Sequence, residues 1–173
     1  LDTNISMHPQ FIYNHFTKEK MIVVQNNNHK VFAINAKGEE LWNIQLNSKI
    51  LGDISSIDAY KNSKYQCLFN TESQLYLIDR NGENVDNFPI LLPSNTKVGH
   101  SLFDYNNTRK YRILIVGDDN NIYNLDKKGK KIKGWKYEKN NKRINKKLQN
   151  FRVGNKDYIL AERNNSNTQL LAI

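Results

Sequence analysis

The residues with the clearest potential for chemistry are three oxygen-bearing side chains in one turn, Asp79, Asn81 and Asp86. Alternating Asp and Asn oxygens are the ligands that calcium prefers in loops. The equivalent turns elsewhere in the chain read NAKG and DKKG, however, and place Lys37 and Lys128 where ligands should lie. An Asp at the start of a turn can instead bond the backbone two residues ahead, and a following glycine supplies the positive φ of a tight hairpin. The pattern therefore predicts turn chemistry rather than a calcium site.

The histidines and the single cysteine show no arrangement typical of an active site. The four histidines lie far apart, without metal-ligand spacing, at His8, His15, His29 and His100. No Ser-His-Asp order, glycine-rich phosphate loop or HExxH helix is present. Cys67 excludes an internal disulfide, and its apolar surroundings in YQCLF predict a buried structural thiol. We therefore expect no catalytic residue, no metal, no cofactor and no enzymatic activity.

The basic charge of the chain is confined to one segment. The net charge is +9, and residues 127–147 alone carry eleven Lys or Arg and one acid, Glu138. Two interpretations stay open. The segment is a solvated loop, or it binds a polyanion such as nucleic acid, an acidic protein or anionic lipid, with Trp135 and Tyr137 available for stacking. The residues that would bind the polyanion are Lys139, Lys142, Arg143, Lys146 and Lys147.

The elements that carry these residues repeat along the chain. Residues 31–44, 75–90 and 122–137 each read as an apolar strand, an Asn or Asp, a turn with glycine and a segment closing on an aromatic. The turn glycines are Gly38, Gly82 and Gly129, which are 44 and 47 residues apart. A second marker, Tyr65, Tyr111 and Tyr158, has spacings of 46 and 47. Two independent features therefore share one period.

Each unit contains four short strands joined by polar turns, and units of about 40–50 residues with four strands are typical of β-propeller blades. We predict an all-β protein, a β-propeller built of four-stranded antiparallel blades of 44–47 residues, with three blades and most of a fourth. The chain forms a single domain, residues 1–173, with blades at about 10–46, 53–92, 98–138 and 147–173. The aromatics Trp42, Phe88 and Trp135 are expected to pack between neighbouring sheets.

A propeller must cover the outer faces of its terminal blades, and two solutions are open. Residues 1–8 could supply the missing outer strand of the last blade and close a four-bladed ring. Alternatively, the chain is one arc of a propeller with six to eight blades, and this second interpretation is favoured because the chain begins and ends within repeat units.

The segment VFAINAKGEELW resembles the repeat of quinoprotein-like bacterial propellers, with Ala33, Asn35, Gly38 and Trp42 in the repeat positions. The quinone-dependent dehydrogenases of that group imply a calcium-bound cofactor and a catalytic Asp, for which this chain shows no vicinal cysteines or acidic cluster. The non-enzymatic relatives, such as outer-membrane assembly lipoproteins, use the propeller as a docking surface. WD-type repeats are a poorer match, because the dipeptide Gly99-His100 occurs only once.

We therefore expect a non-catalytic propeller module that acts as a protein–protein interaction scaffold and forms a segment of a larger protein. The first alternative is a quinoprotein-type enzyme or cofactor binder. The second alternative is a polyanion-binding module that uses residues 127–147. The identity of the protein partner is left open, no transmembrane segment is predicted, and an extracytoplasmic or cell-envelope location is favoured.

Overall fold

The computed structural model describes residues 4–139, 143–163 and 168–172, which form β-strands and no helix. No helix in this part of the chain is therefore long and apolar enough to cross a membrane. Sheet 1 contains β1 (Gln10–Asn14), β2 (Glu19–Gln25), β3 (Lys30–Ile34) and β4 (Glu40–Gln45). Sheet 2 contains β5 (Leu51–Ile57), β6 (Gln66–Asn70), β7 (Gln74–Ile78) and β8 (Ile90–Leu91).

Sheets 3 and 4 have three strands each among the described residues. Sheet 3 contains β9 (Ser101–Phe103), β10 (Arg112–Val116) and β11 (Ile122–Leu125). Sheet 4 contains β12 (Gln149–Val153), β13 (Lys156–Glu162) and β14 (Thr168–Ala172). Every pairing is antiparallel between strands that are neighbours in sequence, so the chain runs up and down within each sheet before it enters the next. The predicted fold class, an all-β propeller built of antiparallel blades, is confirmed, with three or four strands in each sheet among the described residues.

The hairpin turns follow the chemistry predicted for them. One side-chain oxygen of Asn35, Asp79 and Asp126 accepts two backbone N–H groups of its own turn at 2.8–3.0 Å. The glycine that follows each has a positive φ, between +75° and +86°. The turn oxygens are thus occupied by the backbone, and the side chain and glycine together fix three equivalent turns.

Neighbouring sheets pack face to face through three apolar clusters, one each between sheets 1 and 2, sheets 2 and 3, and sheets 3 and 4. β6 is buried along its whole length, because its sheet is covered on both sides. β1 of the terminal sheet alternates instead, with Ile12 buried and Phe11 and Tyr13 exposed. Trp42 and Phe88 lie in the first two clusters and Trp135 packs against the third. This agrees with the prediction that these aromatics pack between neighbouring sheets.

Trp42 makes the contact between sheets 1 and 2 sensitive to a single methyl group. An added Cβ on Gly82 would lie 2.9 Å from two carbons of the Trp42 side chain, whereas one on Gly38 would meet nothing within 4 Å. Both glycines have nearly the same φ, +86° and +85°. Gly38→Ala should therefore lower the free energy of unfolding by about 1 kcal/mol for the left-handed backbone alone. Gly82→Ala should cost about 1–3 kcal/mol more, because the buried indole must move.

Urea unfolding followed by circular dichroism measures both variants in one experiment. Equal losses would show that the Trp42 contact does not hold sheets 1 and 2 together.

The predicted fourth strand is present in the second unit but begins later than expected, and in the third unit it is absent from the described residues. In sheet 2 the outer strand is only the two residues of β8 and starts after Phe88, because a turn at residues 85–88 intervenes. In sheet 3 the pairing beyond β11 is a single bridge between Leu125 and Lys131. The chain then turns at Gly134, whose φ is +80°, and Trp135 points inward to donate its Nε1–H to the carbonyl of Ile122 at 2.7 Å.

The N-terminal residues do not fill the place proposed for them beside the last blade. Ile5 forms a bridge with Asn26, and the N–H of Ser6 donates to the carbonyl of Gln25 at 2.8 Å, so this segment extends sheet 1. Residues 1–3 lie outside the described residues. The outer faces of sheets 1 and 4 keep exposed apolar side chains, among them Phe11, Val153 and Leu170.

Candidate functional site

The up-and-down topology gathers two sets of connections at one end of the sheets. We call this end the loop face. It consists of the loops after each first strand (15–18, 58–65, 104–111 and 154–155) and the turns after each third strand (35–39, 79–89 and 126–130). The opposite end carries the connections between second and third strands and the links between sheets, including the basic residues 143–148.

Backbone strain is concentrated on the loop face. Among the described residues, eight that are not glycine have φ between +53° and +63°. Six of them belong to the loop face: Lys18, Lys61, Ser63, Asp86, Asn107 and Arg109. Each left-handed residue costs about 1–2 kcal/mol. Strain of this kind persists only where the surrounding structure imposes it, and it clusters at functional sites.

Asp58 and Asp104 impose the conformation of two of these loops. Asp58 has no exposed surface and accepts the N–H groups of Asn62 and Ser63, each at 2.9 Å. Asp104 accepts the equivalent N–H groups of Thr108 at 3.1 Å and of Arg109 at 2.8 Å. The two aspartates are 46 residues apart, the same spacing as Tyr65 and Tyr111. The repeat therefore contained a signal for this pair that the sequence analysis missed.

The loops of sheets 2 and 3 are also joined to each other. The guanidinium of Arg109 lies 2.5 Å from Asp58 Oδ2, and the hydroxyl of Tyr111 accepts the N–H of Asp58 at 3.2 Å. Lys127, from the turn of sheet 3, donates to the carbonyl of Ala59. The loop face is thus a cross-linked surface rather than a set of independent loops.

A groove of about 430 Å³ opens on this surface, and we call it the loop-face groove. Its lining includes His15, Tyr60, Lys64, Arg80 and Asp86. Tyr60 is 47% exposed and donates its hydroxyl to Asp86 at 2.7 Å. Beside the groove, Phe16 is 70% exposed, and the Arg80 guanidinium lies 4.5 Å from the centre of its ring. Tyr and Arg side chains are enriched among interaction hot spots.

His15 presents a hydrogen-bond donor at this groove. Its Nδ1 accepts the N–H of Tyr65 at 3.1 Å, so the neutral ring carries its proton on Nε2. Nε2 is buried and has no partner among the described residues. Burial lowers the pKa of His15, and the Arg80 and Lys64 cations lower the pKa further. The ring is therefore a neutral donor at physiological pH.

A second histidine lies buried where the first strands of sheets 2 and 3 meet. His100 Nε2 is 2.8 Å from the hydroxyl of Ser55, a pair that sequence spacing did not reveal because the residues belong to different sheets. Burial lowers the pKa of His100 to about 3, and the Lys147 cation adds to this effect. Its Nδ1 has no partner in the described part of the chain, so no carboxylate orients the ring. A base with so low a pKa activates a hydroxyl poorly at neutral pH.

The five predicted polyanion-binding residues have different environments. Arg143 pairs with Asp118, Lys146 lies 2.5 Å from Glu162, and Lys147 lies 3.3 Å from Asp53. Lys139 is exposed, and Lys142 lies outside the described residues. The structure therefore does not gather these cations into one unpaired patch, although polyanion binding by them stays a prediction.

The single cysteine is placed as predicted. Cys67 is buried in the first apolar cluster, and burial raises the pKa of its thiol to about 12. In the described ranges, no group of three or more His, Cys, Asp or Glu side chains is placed to hold a metal ion.

Three solved structures similar to this chain show its fold. BBS1N in complex with ARL6DN has a TM-score of 0.70 at 12% identity, over 99% of this chain and 55% of that chain. The Pan2 WD40 domain of Neurospora crassa has a TM-score of 0.62 at 16% identity, over 98% and 46%. BamB from Moraxella catarrhalis has a TM-score of 0.58 at 17% identity, over 87% and 42%. The chain thus spans about half the length of the structures it matches.

No curated protein sequence matches the chain. A family model does match it, over residues 17–172. The propeller repeat inferred from the sequence is confirmed by this match, whereas the quinoprotein-like and bacterial parts of the resemblance are not. The chain belongs to the family described as ER membrane protein complex subunit 1, second beta-propeller.

Proposed function

We propose that this chain is a non-catalytic scaffold whose loop face binds a partner protein. The observation that carries the proposal is the loop-face groove of about 430 Å³, which is lined by exposed Tyr60 and partly buried Arg80 and has exposed Phe16 beside it. Aromatic and arginine side chains supply most of the energy at protein interfaces. The surrounding loops are already fixed by Asp58, so a partner would not have to order them.

One structural neighbour supports this use of the fold. BBS1N was solved in complex with ARL6DN, a protein partner. At 12% identity the similarity shows the same fold, but it does not identify contact residues in this chain. The choice of the loop face therefore depends on the side chains of this chain alone.

We also propose that the chain is a segment of a larger propeller. The three apolar clusters join four sheets in a row, and the outer faces of sheets 1 and 4 keep exposed apolar side chains. Further blades would bury these faces, as in the structural neighbours that are about twice as long. The quinoprotein-type enzyme stays a prediction that no contact described above supports.

The docking proposal predicts that changes at the groove remove a partner. The double variant Phe16→Ser with Arg80→Glu should reduce recovery of at least one protein from an extract of the source cells by at least tenfold. Affinity capture of the immobilised chain followed by quantitative mass spectrometry measures this. Phe16 is strongly exposed and Arg80 is partly exposed, so the fold should be unchanged.

The matched control is Leu91→Ser with Lys49→Glu, which changes one exposed apolar and one exposed basic side chain away from the loop face. It should retain the same proteins as the unchanged chain. Equal recovery with the groove variant and the control would contradict docking at the loop-face groove.

A further inference from the structure

The incomplete edge of sheet 3 leaves a second groove, separate from the loop face. β4 and β8 occupy the outer position in sheets 1 and 2, but beyond β11 the chain pairs only at the Leu125–Lys131 bridge. A groove of about 370 Å³ follows this edge, and we call it the β11 groove. It is lined by Asn121, Ile122, Tyr123, Asn124, Lys131, Ile132, Trp135, Lys136 and Tyr137.

Asn124 is the residue in this groove whose side-chain oxygen is buried without a hydrogen-bond partner from the described fold. It is 4% exposed, and its Oδ1 has no hydrogen-bond partner among the described residues. A buried polar atom without a partner costs about 1–3 kcal/mol. The amide can meet a backbone N–H with its oxygen or, after a rotation of its plane, a carboxylate with its nitrogen. A polar ligand in the groove would supply the missing partner.

The aromatic walls of the β11 groove are held in place. Trp135 donates its Nε1–H to the carbonyl of Ile122 at 2.7 Å, and the hydroxyl of Tyr137 accepts a hydrogen bond from Arg163. These bonds fix the two rings before any ligand arrives, which lowers the entropy cost of binding. The rings offer apolar contact area to a side chain that enters the groove.

The charge of the groove selects the ligand. Lys131 and Lys136 line it, and its described lining includes no carboxylate. Asp119 accepts the Tyr123 hydroxyl at 2.8 Å and the N–H of Asn121 at 3.2 Å. The Lys131 ammonium lies 5.2 Å from the centre of the Tyr123 ring. By contrast, the basic residues at positions 143, 146 and 147 are each paired with a carboxylate. Among the described residues, the β11 groove therefore carries two cations that are not paired with a carboxylate.

We propose that the β11 groove binds an extended acidic peptide segment of a partner protein. Carboxylates of the peptide pair with Lys131 and Lys136, a polar group meets the Asn124 amide, and an apolar side chain packs on Trp135. The volume lies at the lower end of the range for ligand pockets, about 300–1,000 Å³, which suits a few residues of a peptide. A nucleic acid would need basic residues tracking its phosphates beyond one groove, and the cations at positions 143, 146 and 147 are paired with acids.

The test uses Trp135 as the reporter. The chain has two tryptophans, so Trp42→Phe leaves Trp135 as the single tryptophan, whose fluorescence can be excited selectively over that of the tyrosines. This variant is titrated with an acetylated ten-residue peptide of alternating glutamate and valine, with the lysine–valine peptide of the same length, and with a ten-nucleotide single strand. We expect saturable binding of the acidic peptide only.

Four further variants in the same background locate the site. Asn124→Leu should raise Kd at least tenfold while the thermal midpoint stays the same or rises, because the change removes an unpartnered buried amide. Asn124→Ala is used in place of Asn124→Leu if the leucine side chain is too large for the edge of sheet 3. Lys131→Gln with Lys136→Gln should also raise Kd at least tenfold, whereas Lys146→Gln with Lys147→Gln should change it less than twofold.

Several results would overturn the proposal: no binding of the acidic peptide, tighter binding of the oligonucleotide, or loss of binding with the Lys146 and Lys147 changes only. Unchanged binding by both Asn124 variants would show that the Asn124 amide does not contact the peptide. Because the β11 groove shares no lining residue with the loop-face groove, these outcomes do not bear on docking at the loop face.

Discussion

Replacing Asp58 with alanine should lower the free energy of unfolding by about 3 kcal/mol. The carboxylate accepts two loop N–H groups and pairs with Arg109, and it has no exposed surface. Hydrogen bonds to charged groups are worth about 1.5–3 kcal/mol each when buried, and the half-exposed Arg109 regains water when its partner is lost. The loss also releases the strained backbone at Lys61 and Ser63.

Asp104→Ala is the matched control for this prediction. Asp104 accepts two loop N–H groups in the same geometry but, in the described part of the chain, forms no ion pair with a cation of the neighbouring loop. Its loss should cost about 1 kcal/mol, similar to the loss of a capping side chain. A double-mutant cycle with Arg109→Met then isolates the bond between sheets 2 and 3. Losses that agree within about 0.5 kcal/mol for both aspartates would show that the Arg109 pair contributes nothing.

Acid should destabilise the fold through His100. Its pKa is about 3 in the folded chain and about 6.5 when unfolded. Above pH 6.5 the ring is neutral in both states and contributes no pH dependence. Below it the unfolded chain binds a proton that the folded chain cannot bind, so stability falls by up to about 1.4 kcal/mol per pH unit until pH approaches 3.

The groups that face His100 are Ser55, the Lys147 cation and Asp53. Burial and the Lys147 cation both lower the pKa of His100, and together they outweigh the opposite effect of Asp53. His100→Gln keeps an amide able to reach Ser55 but removes the titration. The difference in stability between this variant and the unchanged chain should shift by about 2 kcal/mol between pH 6 and pH 4.5. His8→Gln, at an exposed position, is the control. Parallel pH profiles for His100→Gln and the unchanged chain would contradict a buried neutral ring.

The fold was accessible from sequence because its signals are local and repeated. Asn35, Asp79 and Asp126 bond their own turns, and Gly38, Gly82 and Gly129 supply the left-handed backbone, so each turn is encoded within five residues. The Asp58 and Asp104 loops are encoded in the same way and recur at the same period. A search for an Asp that recurs at the repeat period, as was done for the turns, would have found them.

The features that the sequence did not predict depend on the packing of separate sheets. The Ser55–His100 pair joins first strands of different sheets, and the loop-face groove draws on the loops of sheets 1 and 2 together. The missing strand of sheet 3 depends on whether Trp135 turns inward, which the apolar pattern of the segment does not determine. The pairing of the basic segment with Asp118, Glu162 and Asp53 was not predicted, because charge counts do not show which acids lie nearby in the fold.

Docking at the loop-face groove is tested most directly by site-specific photo-cross-linking in the cells that make the protein. Phe16, at the groove, and Leu91, on β8, are each replaced by photoreactive benzoylphenylalanine, and both side chains are strongly exposed. Docking at the groove predicts a discrete light-dependent adduct from position 16 that is absent from position 91 and that disappears when Arg80→Glu is added. Adducts from neither position, or the same adducts from both, would contradict it.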